Sequence, residues 1–214
     1  MTLTSLAYAA DSNPPPPPHH NQGSDILNGQ IDFQSQAANV NTTITNAGGD
    51  VSASAVSAGN VLQAVTMQDT NLTNKQYVDH GVSISSKLNA DVTNVGGGAS
   101  LVSQAICNSA DVSTDPNKTK VYSNQECNAA DPSAAMNANL KNIGGDVSLA
   151  TTAVGNTFSE DTNARTAPVQ NYQINNAGTF ATSNTTVQNV GGGVSVSATA
   201  IGNNAQIVHY STSP

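Results

Sequence analysis

Asn189-Val190-Gly191-Gly192-Gly193-Val194-Ser195-Val196-Ser197-Ala198-Thr199-Ala200-Ile201-Gly202-Asn203 is the last of four related segments in the chain. Three others align with it without gaps: NAGGDVSASAVSAGN from Asn46 to Asn60, NVGGGASLVSQAICN from Asn94 to Asn108, and NIGGDVSLATTAVGN from Asn142 to Asn156. The leading asparagines stand 48, 48 and 47 residues apart. Chance does not give four ungapped copies at so constant an interval, so the chain is a repeat.

Each copy reads as strand, turn, strand. One strand ends at the asparagine and its small apolar neighbour (Ala47, Val95, Ile143, Val190). The glycine pairs Gly48-Gly49, Gly96-Gly97, Gly144-Gly145 and Gly191-Gly192 then turn the chain, where positive φ is expected of them. Val, Ser, Ala and Thr alternating at period two describe a second strand with one buried face of small side chains. Gly59-Asn60, Gly155-Asn156 and Gly202-Asn203 read as the turn that closes it. A helix is excluded, because paired glycines and repeated β-branched residues would cost it several kcal/mol at up to about 1 per Gly.

One such repeat buries too little apolar surface to offset its own ordering entropy, and stacking of equivalent strands is the remedy. The predicted fold is therefore all-β, a parallel β-solenoid of four repeats. A β-sandwich, whose strands merely share sequence habits, is the alternative. Two coils of about 24 residues per period would give roughly eight rungs and a rod near 40 Å at about 4.8 Å per rung. Stacking would also align Asn46, Asn94, Asn142 and Asn189 into an amide ladder.

Composition narrows the function. Charged residues make up 9% and aromatics 4%, with no Trp, far from the about 25% charge of an average soluble domain. Asn, Thr, Ser, Ala, Gly and Val take their place, the vocabulary of extracellular strand-and-turn proteins. Six Lys plus Arg against fourteen Asp plus Glu leave no basic stripe for nucleic acid. No stretch has the about 18 apolar residues of a transmembrane segment. In MTLTSLAYAA, Ala7-Tyr8-Ala9 has the form of a signal-peptide cleavage site, so residues 1–9 read as the remnant of an export signal. Pro14 to Pro18 favour polyproline II, and residues 10–35 read as a spacer before a repeat domain at 36–214. His19 and His20 lack further ligands at metal-site spacing.

Export makes a disulfide between Cys107 and Cys127 the expected pairing, worth roughly 3 kcal/mol in the loop-entropy picture; two free buried thiols are the alternative. Cys107 stands where the other copies have glycine. Tyr77, Tyr122 and Tyr172 recur about once per period, as half-buried packing rings or as a sugar-stacking row. A carbohydrate-binding or polysaccharide-degrading β-helix protein is the alternative function, but no constellation for catalysis, metal or a cofactor emerges. Asp50 and Asp146 recur at one slot, but Gly98 and Gly193 fill it in the other copies, which suits a turn aspartate accepting backbone N–H bonds. Two isolated carboxylates do not make six to eight calcium ligands. His80 and His209 lie in variable stretches, and no G-x-S-x-G elbow is present. The N-x-[ST] matches at Asn41, Asn71, Asn117 and Asn184 are expected in a chain so rich in Asn and Thr.

The Gly-Asn turns flanked by Ala, Val and Ser, in phrases such as Val196-Ser197-Ala198-Thr199-Ala200-Ile201-Gly202-Asn203, resemble curlin-type amyloid fibre subunits. They resemble more closely the holdfast-anchor proteins of stalked alphaproteobacteria. The likeness covers the four motifs, about a third of the chain. Curlin repeats are about half this length and carry regular Gln at strand positions, which this chain is read as lacking. The resemblance implies a secreted structural protein of the outer cell surface that tethers adhesive polysaccharide to the envelope and has no catalytic residues. Open strand edges at the ends of a stack add a further expectation: self-association, or pairing with other surface-fibre subunits.

Overall fold

The computed structural model describes residues 24–115, 118–128, 131–164 and 166–210. The export remnant, the proline run, His19, His20 and Asn117 lie outside them. Four coils follow one another, each of three strands. The first holds β1 (Ser24–Asp32), β2 (Gln36–Ala47) and β3 (Val51–Thr66), and the second β4 (Thr70–Val78), β5 (Ile84–Val95) and β6 (Ala99–Thr114). The third holds β7 (Thr119–Cys127), β8 (Ser133–Ile143) and β9 (Val147–Thr162), and the fourth β10 (Val169–Asn175), β11 (Phe180–Val190) and β12 (Val194–His209). Equivalent strands stack into three parallel four-stranded sheets, β1-β4-β7-β10, β2-β5-β8-β11 and β3-β6-β9-β12. This is the solenoid; a sandwich is excluded. β1 begins at Ser24, inside the stretch read as spacer, so the sheets start before residue 36.

The number of rungs differs from expectation. One period is one coil of three sides, not two coils of about 24 residues, so four rungs span roughly 19 Å at about 4.8 Å each. The cause lies at Gly59-Asn60 and its equivalents. These do not end a strand; they sit in the middle of the 16-residue strands of the third sheet. The ladder skips the residue before each asparagine and resumes in the same register. The pair is a bend in one long side.

Register follows the sequence repeat. Asn60 pairs with Asn108, Asn108 with Asn156 and Asn156 with Asn203. At the other turn it is the asparagines, not the glycines, that take the left-handed conformation: φ is 59°, 58°, 56° and 54° at Asn46, Asn94, Asn142 and Asn189. Asn is among the few residues that tolerate it. In the second to fourth coils the glycines are required by close stacking instead, whereas Gly48 and Gly49 of the first coil meet nothing within 4 Å. A Cβ on Gly96 would lie 2.7 Å from the Gly48 carbonyl oxygen, and one on Gly97 2.6 Å from the Asp50 nitrogen.

The interior is also bulkier than the Ala, Val and Ser pattern suggested. Leu88, Leu101, Leu140, Leu149 and Met136 fill one apolar cluster between the second and third sheets. Leu72, Val121 and Phe158 fill another between the first sheet and the far half of the third. Full burial of each such large side chain is worth about 1.5–3 kcal/mol. These residues belong to the two middle coils, which are covered on both sides.

Candidate functional site: ladders inside, open faces outside

Side-chain ladders run along the stacking axis. At the tight turn, Nδ2 of Asn94, Asn142 and Asn189 donates to Oδ1 of the preceding coil's asparagine at 2.9, 2.8 and 3.0 Å. At the bend, Asn60 donates to Asn108 at 2.9 Å, Asn108 to Asn156 at 2.8 Å and Asn156 to Asn203 at 2.8 Å. The second N–H of each amide there reaches a strand carbonyl of the first sheet, as from Asn60 to Tyr77 at 2.9 Å and from Asn108 to Glu126 at 3.0 Å. The bend is thus held by satisfied buried amides, the condition for burying them without loss.

Another ladder is glutamine. Gln76 donates to Gln30, Gln125 to Gln76 and Gln173 to Gln125, each at 2.8 Å. The four also donate at 2.9 Å to Val61, Ser109, Thr157 and Asn204 carbonyls, tying the first sheet to the third. Regular strand glutamines are therefore present, contrary to the reading of the sequence. Their spacing of 46, 49 and 48 residues differs from that of the motif, because loops between coils vary in length. The recurring signal was visible once those shifts were allowed.

Cys107 and Cys127 form a disulfide with a Cα–Cα distance of 6.0 Å. Both are fully buried and join the bend of β6 to the end of β7. Asp50 and Asp146 each accept the N–H of the following coil's glycine, Gly98 and Gly193, at 2.7 Å. The alternation of Asp and Gly along this column keeps like charges from facing each other at one-rung spacing.

The tyrosines do not form a row. Tyr77 pairs with Glu126, Tyr122 with Thr73 and Gln170, and Tyr172 with Asn124. All three strands belong to the first sheet, but the rings fall at three different register positions, because equal distance to the next motif does not mean equal register across loops of unequal length. Tyr77 donates its hydroxyl to Asp79 at 3.0 Å, and Tyr172 is exposed.

The outer face of the second sheet is an open lattice of amides and hydroxyls. One row along the axis is Asn41, Asn89, Asn137 and Asn184. Beside it runs Thr43, Asp91, Asn139 and Thr186. Asn89 donates to Asn41, Asn137 to Asn89 at 2.9 Å and Asn139 to Asp91 at 3.3 Å. The rows line a shallow trough of about 490 Å³.

Among the described residues Glu160 is a fully buried acid, and the Ser57, Thr119 and Thr151 hydroxyls are likewise buried without a partner. Glu160 stands on β9 between Val112 and Ile207 of the adjoining coils, and neither carboxylate oxygen accepts a hydrogen bond. Burial pushes its pKa up to about 7, opposed by nearby His209. His209 bonds the Ala164 carbonyl through Nε2. No cluster of three or more His, Cys, Asp or Glu able to hold a metal occurs among the described residues.

Coils locked by axial ladders, with Asp50 and Asp146 engaged in turns and with polar side faces, define a structural repeat protein. No helix among the described residues is long and apolar enough to cross a membrane. The chain belongs to the family of holdfast attachment protein D (HfaD), whose model matches residues 33–214. That family is one of bacterial surface attachment, so the protein has an adhesion role at the cell surface. No curated protein and no solved structure matches the chain.

Proposed function

We propose that the protein is a secreted, non-catalytic anchor that joins adhesive polysaccharide to the cell envelope, assembling with further subunits by adding coils at the ends of its stack. The observation that carries this is the state of the fourth coil. Val194 and Val196 are 51% and 48% exposed, whereas Val147 and Leu149, their partners one rung below, are each 1% exposed. Among the described residues β12 pairs with β9 alone, and its inward-facing apolar row and free edge offer a template for one more parallel coil. The buried disulfide supports export, since such bonds persist in oxidising compartments. The turn-bound state of Asp50 and Asp146 supports a structural rather than a polysaccharide-degrading role.

The test is sedimentation with electron microscopy of the purified chain at rising concentration. Rods that lengthen with concentration are expected, and a V196K variant should remain short while its far-UV spectrum is unchanged. A wild-type chain that stays a single short unit at high concentration overturns assembly through the ends.

A further inference from the structure

We infer that the outer face of the second sheet is a binding strip for a neutral, extended, β-linked glycan lying along the stacking axis. This rests on the polysaccharide-attachment reading above and gives it a place in the fold. In the central row Asn41 accepts from Asn89, Asn89 donates to Asn41 and accepts from Asn137, and Asn137 donates to Asn89, while Asn184 continues the row in register without a ladder bond. An amide has two donors and two acceptor positions, so at least one of each remains turned outward per rung. The ladder fixes their orientation before any ligand arrives, which lowers the ordering cost of binding.

Spacing and charge select the ligand class. Rungs recur at about 4.8 Å, close to the rise per sugar of an extended β-linked chain, so successive sugars meet successive amides in one register. The adjoining row adds Thr43, Asn139 and Thr186, again donors and acceptors without charge, and its one carboxylate, Asp91, disfavours an anionic polymer. Phe180, 54% exposed, stands on the same face at its rim in the fourth coil, where a ring can stack on a pyranose. The first sheet is less suited: its outer face mixes exposed Leu27 and Ile31 with Lys75 and Glu126, and its tyrosines are out of register.

The experiment titrates the full chain with cellohexaose and with its N-acetylated counterpart, chitohexaose, by calorimetry, and follows the asparagine side-chain amides by NMR. At least one glycan should bind and shift the amide signals of Asn41, Asn89 and Asn137. The double variant N89S/N137S should lose at least tenfold in affinity, and F180A severalfold, while T152A on the third sheet changes nothing. F180A and the wild-type NMR map decide the matter should the double variant fail to fold. A wild type that binds with shifts confined to other faces, or a double variant that folds and binds as the wild type does, overturns the strip but leaves polysaccharide attachment standing. Absence of binding to both neutral glycans, or tighter binding of polygalacturonate, overturns the neutral-glycan assignment itself, the first outcome also removing support for direct attachment.

Discussion

At the scale of single residues, asparagine carries two duties that the sequence presents as one. Asn94 holds a left-handed backbone and a rung of the outer ladder at once. Asn94→Ala should cost about 1–2 kcal/mol for the backbone and about 1 more for the ladder, whereas Asn94→Gly should cost only the ladder share. Urea unfolding separates them; equal losses would mean that φ is not what selects asparagine. Glu160 gives a pH dependence whose sign is fixed by its environment. Its folded pKa, about 7, lies above the ordinary 4.5, so the folded state holds the proton more tightly. Its contribution is therefore full below about pH 4.5 and is lost as pH rises through about 7. E160Q should flatten that part of the stability profile and raise stability at pH 8, where the wild type must bury the charged carboxylate. Thermal melts at pH 4 and pH 8 check it, with little difference expected at the lower pH. The ladder asparagines of the tight turn were legible because they recur at constant spacing. Nothing local to Ser159-Glu160-Asp161 shows which of the three faces inward; only the repeat does, by putting Glu160 in one column with Ala64, Val112 and Ile207.

At the scale of strands, the third sheet decides the cross-section. Its 16-residue strands bend at Gly-Asn, and in the second coil the glycine is replaced by Cys107. The disulfide does covalently, between β6 and β7, what the amide ladder does at the same corner between neighbouring strands. Reduction, or the pair C107G/C127A, should lower stability by about 3 kcal/mol on the loop-entropy model without changing the strand content. Denaturant melts with and without reductant measure it; loss of the β spectrum on reduction would instead make the bond a condition of folding. The sequence reads Gly-Asn as a turn because local chemistry is the same for a turn and for a bend. What makes it a bend is the partner amide one rung away.

At the scale of the whole molecule, the stack behaves as a sum of coils and their interfaces. Excising residues 99–146 removes 48 residues and both cysteines while joining Gly98 to Val147 at an equivalent point of the turn. A three-coil protein should still fold, with a lower urea midpoint and a denaturant slope reduced by about a quarter in proportion to the surface exposed on unfolding. Failure of this chain to fold would show that the second and third coils are not interchangeable units. The repeat alone determined that strands stack in parallel and in register, because side chains of one kind at one interval are satisfied together only when they lie above one another. It did not determine how many sides a coil has, which amides meet in the interior, or where the tyrosines fall. Those depend on loops of unequal length and on contacts between residues distant in the chain, and only the closed coil fixes them.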